Sequence, residues 1–230
     1  MKYLKLYLLP FFVLSSQFVF SQDANSVLQK IKEKLNKVND YQASGIMKTN
    51  VSFLKVPEAN VTVFFKKPDN LKIKNENGIS LVPKGAVSIS LNNLLKGNFT
   101  VVDAGYEIFQ NSKLRIIKLL PVDENADIVL STLYIDESRL LIIKAKTTTK
   151  ENGTYEVEMS YSKYQDYALP DKVIFSFNTK DYKLPKGVTF DYDDGSKKKN
   201  ENSVNNNKGK VEINYSTYII NKGIPDAVFK

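Results

Sequence analysis

The sequence feature that most constrains the fold is a change of hydrophobic period at Tyr41. From that residue onward the chain divides into ten short stretches rich in β-branched and aromatic residues, and turn formers such as Asn152-Gly153 separate them. Short connections join antiparallel neighbours, because a parallel pair needs a long crossover. The sequence therefore predicts one long meandering antiparallel sheet. The predicted strands are Tyr41–Lys55, Glu58–Lys67, Asn70–Asn75, Thr100–Phe109, Lys113–Leu120, Asp127–Asp136, Arg139–Thr148, Thr154–Tyr164, Asp171–Asn178 and Gly209–Ile220.

An amphipathic helix is predicted ahead of the sheet, from Ala24 to Asn39, with Asp23 positioned to cap its start. The apolar residues that we expect to face the sheet are Val27, Leu28, Ile31 and Leu35. One helix followed by ten strands does not fit a doubly wound α/β fold, which needs a helix between parallel strands. The predicted class is α+β, mainly β: a strongly curved antiparallel sheet, an unclosed half-barrel, with helices over its concave face.

The first 21 residues have the pattern of a secretory signal peptide. Lys2 and Lys5 precede an apolar run from Leu8 to Leu14, and Val19-Phe20-Ser21 places cleavage before Gln22. The apolar run is too short and too broken to span a bilayer. We therefore expect residues 22–230 to form a single exported, soluble domain in the periplasm, with a flexible polar loop at residues 191–209.

Composition excludes several kinds of chemistry. The chain has no His and no Cys, so a His-based triad, a thiol nucleophile and His or thiolate metal ligands are all ruled out. Only Arg115 and Arg139 are arginines among 33 basic residues, whereas proteins that read nucleic acids rely on Arg for bidentate contacts. We expect a protein that is not an enzyme, carries no cofactor or metal, and has no nucleic-acid partner.

Two adjacent phenylalanines pose a question about the second predicted strand. Successive side chains in a strand point to opposite faces, so Phe65 shares one face with Val61 and Val63, and Phe64 lies on the other. A bulky aromatic on each face indicates a sheet that is covered on both sides. The inner residues have two interpretations, plain core or the lining of a cavity that takes up acyl chains.

A faint internal repeat links two later segments. Tyr161–Phe175 reads YSKYQDYALPDKVIF and Tyr215–Phe229 reads YSTYIINKGIPDAVF. We favour the interpretation that both are strands that end in a Pro-Asp turn. The repeat also indicates that the C-terminal tail belongs to the fold, with Ile219, Ile224 and Phe229 buried.

Several motifs in this order resemble the outer-membrane lipoprotein carriers, the LolA/LolB-like superfamily. They are the N-terminal helix, FFKKPDNLKI, SLVPKGAVSIS, the long segment from LYIDESRLL to DKVIFSF, and LPKGVTF. The resemblance covers about Ala24 to Phe190. In the motif FFKKPDNLKI, carriers have Arg directly before the proline, where it hydrogen-bonds the helical lid. This chain has Lys67 at that position.

The resemblance implies an unclosed antiparallel barrel whose helical lids cover a hydrophobic cavity. It implies a monomeric periplasmic carrier for the acyl chains of lipoproteins or other lipids, which delivers them to the outer membrane and meets sorting proteins at the inner and outer membranes. A lipid- or lipoprotein-sensing regulatory protein and an accessory envelope protein with a filled interior are the alternatives. Lys67 is expected at the rim of the cavity. The expected lining residues are Met47, Val51, Phe53, Val61, Val63, Phe65, Leu71, Ile73, Leu81 and Ile89.

Overall fold

The computed structural model describes residues 23–51, 54–55, 57–75, 95–178 and 208–229. These ranges hold one α-helix, α1 (Ala24–Leu35), and the 3-10 helices Gln165–Tyr167 and Asp226–Phe229. The predicted signal peptide and residues 191–207 of the predicted polar loop lie outside them. The strands are β1 (Asp40–Val51), β2 (Leu54–Lys55), β3 (Ala59–Lys66), β4 (Asn70–Asn75), β5 (Phe99–Phe109), β6 (Ser112–Pro121), β7 (Ile128–Asp136), β8 (Leu141–Thr149), β9 (Gly153–Ser160), β10 (Lys172–Asn178) and β11 (Lys208–Ile220).

All of these strands belong to one antiparallel sheet that does not close into a barrel. Its order is β4-β3-β1-β11-β10-β9-β8-β7-β6-β5, and the short β2 pairs only with β1. The prediction of a mainly β, unclosed sheet is confirmed. The prediction of a simple meander is wrong at one place: among the described strands β4 does not pair with β5, and β1 pairs instead with the last strand, β11, which also pairs with β10. β4 and β5 therefore lie at opposite edges of the described sheet.

Tight turns account for the long run of consecutive pairing from β5 to β10. Gln110 and Asn111, between β5 and β6, both have positive φ, at 47° and 64°, which matches a two-residue hairpin turn. Gly153 has a φ of 66° where β9 begins. β9 ends at Ser160, four residues before its predicted end, because the Asp171 carboxylate accepts hydrogen bonds from the backbone of Ser162 and Lys163.

The pairing of β1 with β11 depends on a glycine. The register shifts by one residue between Ser44 and Gly45, so Ser216 is an extra residue on β11. A Cβ atom at Gly45 would lie 2.4 Å from the carbonyl oxygen of Asn214, so only glycine lets the two backbones approach this closely. A bulge of this kind increases local twist, and this one lies near the middle of β1.

Helix α1 packs against one face of the sheet as predicted. Val27, Leu28, Ile31 and Leu35 are all buried, and they belong to the same core cluster as residues of the strands. Asp23 is at the N-cap position, but its side chain makes no capping hydrogen bond.

The helix ends at Leu35, four residues before the predicted end at Asn39. The Asn221 side chain, which follows β11, explains the early end. Its amide nitrogen donates to Lys37 O at 2.8 Å, and its oxygen accepts from the Asn39 backbone at 2.7 Å. These bonds hold residues 36–39 as a turn.

The C-terminal tail is partly buried. The Ile224 side chain is buried and Phe229 is half-buried, whereas Ile219 is 52% exposed. Ile219 pairs with Gln42 on the outward face of the sheet, so the prediction that it is buried is wrong. The Asp40 carboxylate accepts hydrogen bonds from the backbone of Lys222 and Gly223 at 3.1 and 3.0 Å. The tail is thus anchored beside the start of β1.

Candidate functional site

An apolar cavity of about 120 Å³ lies just beyond the end of α1. Leu35 and Val38 form its wall on the helix side, and the inner face of the sheet forms the rest together with the loop before β10. In the described part of the chain, no charged side chain contributes to the lining. The lining residues are Leu35, Val38, Tyr41, Val63, Phe65, Leu71, Ile73, Val157, Met159, Tyr167, Ala168, Leu169, Pro170, Val173, Phe175, Val211, Ile213, Tyr215 and Tyr218.

Phe64 and Phe65 occupy opposite faces of β3, and only Phe65 borders the cavity. Phe65 is almost fully buried, and its ring stacks on Tyr41 with the centroids 5.3 Å apart. Phe64 is half-buried on the outer face, where Lys74 Nζ lies 5.2 Å from its ring centroid. The aromatic pair thus contributes one ring to the cavity wall and one to the outer surface.

The structure brings four of the predicted lining residues together around the cavity, namely Val63, Phe65, Leu71 and Ile73. Three others, Met47, Val51 and Val61, are buried but do not line it, since they belong to the core cluster that includes α1. They share the parity of the lining residues but lie farther along β1 and β3. Phe53, Leu81 and Ile89 are outside the described residues.

Lys67 contacts the end of the helix rather than the cavity. Its Nζ donates to Asn36 O at 2.8 Å and to Asn39 Oδ1 at 3.4 Å. Its backbone N–H donates to Asn39 O at 2.9 Å. The residue therefore fastens the β3–β4 turn to the segment that links α1 and β1. Lys67 and Leu35 both line a separate surface cleft. Leu35 also lines the cavity, whereas Lys67 does not.

Sequence reasoning missed the opposite wall of the cavity, which comes from β9, β10 and β11. A simple meander would have kept β11 away from β1, so residues such as Ile213 and Tyr215 had no reason to face Val63. The internal repeat was the available signal. It pairs Tyr164 with Tyr218, and their rings meet edge to face with centroids 4.9 Å apart. The Tyr218 N–H also donates to the Tyr164 hydroxyl at 3.3 Å.

Three of the tyrosines that line the cavity lie together, and their hydroxyls make this part of the lining less apolar. Tyr41 and Tyr215 flank Tyr218, with ring centroids 5.4 and 5.2 Å from it. Burial raises the pKa of all three phenols, because the charged phenolate loses its hydration inside the protein. The three side chains therefore remain neutral at physiological pH.

Beneath α1 the inner face of the sheet carries a cluster of buried aliphatic side chains. Ile117, Leu119, Leu133, Ile135 and Leu141 are each at most 1% exposed there. The Ser131 and Thr147 hydroxyls, both buried, hydrogen-bond to each other at 3.0 Å, so this polar pair is satisfied.

A salt-bridge cluster closes the packed side at one end. Arg115 is 2% exposed, and its guanidinium donates to Asp103 and to Glu137, each at 2.6 Å. Hydrogen bonds from Arg115 and then from the Gly105 N–H lower the pKa of the Asp103 carboxyl. None of these three residues lines the cavity. The ion pairs connect β5, β6 and the turn after β7, so their role is structural.

The described ranges contain neither a cluster of metal-binding side chains nor a membrane-spanning helix. Among those residues, no three Asp or Glu side chains are grouped so as to hold a metal ion. In the same part of the chain, no helix has both the length and the apolarity to cross a membrane.

Comparison with known proteins places the fold. No protein-family model matches the chain, and no curated protein matches it in sequence. Among solved structures, a Vibrio parahaemolyticus domain described as an outer membrane lipoprotein-sorting protein aligns with a TM-score of 0.54 at 12% identity, over 89% of this chain and 94% of that one. A LolA superfamily protein from Nitrosomonas europaea aligns with a TM-score of 0.52 at 11% identity, over 88% and 97%.

A third solved structure, a DUF1329 family protein from Desulfovibrio piger, aligns with a TM-score of 0.55 at 12% identity, over 89% of this chain and 94% of that one. All three similarities extend over nearly the whole of both chains. The chain therefore has a LolA-like fold.

Proposed function

We propose that this protein is a periplasmic carrier that holds an acyl chain of a lipoprotein or another lipid in the cavity beyond α1 and delivers it to the outer membrane. The observation that carries the proposal is the lining of the cavity: the described residues that form it are apolar apart from tyrosine hydroxyls, and none of them is charged. Ligand pockets of this composition suit apolar ligands that are oriented by a few polar groups.

The energetics favour an acyl chain as the occupant. Each methylene removed from water contributes about 0.8 kcal/mol. The cavity of about 120 Å³ is close to the roughly 150 Å³ that holds benzene in an engineered apolar cavity. It therefore accepts the end of a chain as it stands. A longer chain would push against Leu71 and Ile73, which are half-buried on β4, a strand that pairs only with β3 among the described strands.

The fold and the N-terminal sequence support the rest of the proposal. Two of the structurally similar proteins are described as a lipoprotein-sorting domain and as a LolA superfamily member. The signal-peptide pattern of residues 1–21 would bring the chain to the compartment that such carriers cross. Sorting proteins at the inner and outer membranes would then load and unload a monomeric carrier that works without metal, cofactor or catalysis.

A cavity-filling substitution tests the proposal. Val173 lines the cavity, and Val173→Phe would occupy the space that the chain needs. The matched control is Val129→Phe, because Val129 is exposed on β7 outside the cavity. We expect wild type and the control to bind a fluorescent acyl probe and Val173→Phe to lose at least tenfold in affinity, since excluding two buried methylenes already exceeds 1.4 kcal/mol.

The proposal fails if wild type does not bind the probe, or if Val173→Phe binds it as tightly as Val129→Phe. Thermal unfolding of both variants checks that the fold is retained. A folded Val173→Phe that has lost only the probe supports the carrier.

A lipid-sensing accessory protein is the second candidate, and one observation favours it. Val102 on β5, Leu120 on β6 and Val122 just after β6 are exposed, and a regulatory partner could contact these apolar side chains. Transfer separates the two functions. A carrier passes its bound acyl probe to acceptor vesicles, whereas a sensor keeps the probe until its partner binds.

A further inference from the structure

Two tyrosine hydroxyls at the cavity have no hydrogen-bond partner in the described part of the chain. They belong to Tyr41 and Tyr215, which both line the cavity and are half-buried. Other tyrosines in this region are satisfied: Tyr218 donates to Pro170 O at 2.7 Å, and Tyr161 donates to Ile142 O at 2.9 Å. Neither hydroxyl is among the fully buried side-chain atoms without a partner, so both are accessible and can donate to a ligand in the cavity.

The two rings are held in place by their neighbours. Tyr41 stacks on Phe65, and both Tyr41 and Tyr215 pack against Tyr218. Burial raises the pKa of both phenols, and Tyr41 adds to that effect at Tyr215. Both groups therefore act as neutral O–H donors in a fixed arrangement.

The charges around the cavity decide which acceptor these donors suit. Among the described residues no Lys or Arg lines the cavity, and the Asp171 carboxylate makes a small contribution to the raised pKa of Tyr218, after burial and the neighbouring tyrosines. A ligand carboxylate would lose its hydration without gaining a counter-ion and would meet this negative charge. A neutral carbonyl oxygen accepts the same hydrogen bonds without that cost.

We propose that the hydroxyls of Tyr41 and Tyr215 donate hydrogen bonds to the carbonyl oxygen of an ester- or amide-linked acyl chain, so that the cavity selects neutral acyl derivatives over free fatty acids. This inference rests on the proposed function, because it assigns the polar end of the same ligand. The apolar wall supplies affinity for the chain, and the two tyrosines supply the preference for its linkage.

Competition with ligands of matched length tests the inference. Dodecane, methyl decanoate and decanoate each compete with a fluorescent acyl probe at neutral pH, on wild type, Tyr41→Phe, Tyr215→Phe and the double variant. Phenylalanine keeps each ring and removes only the hydroxyl. The matched control is Tyr134→Phe, because Tyr134 lies on β7 beside Lys144, away from the cavity.

For wild type we expect the ester to bind more tightly than the alkane and the free acid. Each cavity variant should lose about threefold to tenfold of the preference for ester over alkane, the usual range for one hydrogen bond. Affinity for the alkane should stay unchanged in every variant, and Tyr134→Phe should behave as wild type.

Unchanged ester preference in the double variant, or a free acid that binds wild type as tightly as the ester, would overturn the inference and leave the carrier proposal standing. If wild type binds none of the three ligands, the carrier proposal fails as well. Should one single variant lose its cooperative thermal transition, the other carries the test.

Discussion

The two halves of the sheet's inner face differ in packing: one half is filled by buried side chains, and the other half borders the cavity. In the packed half, the aliphatic residues Ile117, Leu119, Leu133, Ile135 and Leu141 are almost inaccessible to solvent. In the cavity half, the wall includes four tyrosines, and the edge-strand residues Leu71 and Ile73 are only half-buried. The same sheet therefore provides a rigid core on one side and a ligand-sized space on the other.

The length of α1 explains where one half gives way to the other. Twelve residues make a helix about 18 Å long, too short to cover the whole sheet. The cavity begins where the helix stops, since Leu35 is the last helical residue and also a lining residue. A helix that continued to Asn39, as the sequence pattern predicts, would lie over this space. The early helix end thus leaves room for a ligand.

A charged substitution in each half is the most severe test of the difference in packing between the two halves. Leu133→Glu places a carboxylate in close-packed core, where desolvation costs several kcal/mol, so we expect loss of the cooperative unfolding transition. Phe65→Glu places the same group on the wall of the cavity, whose volume of about 120 Å³, when no ligand is bound, has room for water that close-packed core lacks. That variant should keep its fold with reduced thermal stability and lose the fluorescent acyl probe.

Thermal unfolding by circular dichroism and probe titration measure both variants. Equal loss of fold in the two would mean that the cavity half is ordinary core. Retained probe binding in a folded Phe65→Glu would mean that the chain binds elsewhere.

The salt-bridge cluster offers a milder test, confined to the packed half. In Arg115→Met, Asp103 and Glu137 lose charged hydrogen bonds but remain partly exposed, with 42% and 27% of their side chains accessible. We therefore expect a loss of about 1–2 kcal/mol in the free energy of unfolding, less than the roughly 3–5 kcal/mol for breaking a fully buried pair. Probe binding should not change.

The same variant has a defined pH signature. The folded state lowers the pKa of Asp103, so its contribution to stability is present above the ordinary aspartate value of about 3.9 and is lost as pH falls through the lowered value. The stability gap between wild type and Arg115→Met should narrow on acidification over that range. Denaturant unfolding across a pH series measures it, and a gap that is independent of pH would argue against the assigned ion pair.

Much of the fold was predictable from local pattern. Alternation, turn residues such as Asn152-Gly153 and the helical spacing of Val27, Ile31 and Leu35 depend on interactions between residues close in sequence. The insertion of β11 beside β1 was not predictable in this way. It depends on contacts between segments at least 160 residues apart, including the close approach at Gly45.

The candidate site was half predictable for the same reason. Val63, Phe65, Leu71 and Ile73 come from the hairpin β3–β4, where parity alone assigns the inner face. Tyr215 and Tyr218 come from β11, so their place opposite that hairpin follows only from the strand order. Local pattern also carried no information on the helix end, which depends on the Asn221 side chain.

Mass spectrometry of an organic extract tests the central claim most directly. The protein would be purified from its own cell envelope, both as wild type and as Val173→Phe, and extracted under identical conditions. The account predicts an acylated molecule recovered in near-stoichiometric amount from wild type and strongly depleted from the cavity-filled variant. A wild-type extract without acyl chains, or equal recovery from the two proteins, would contradict it.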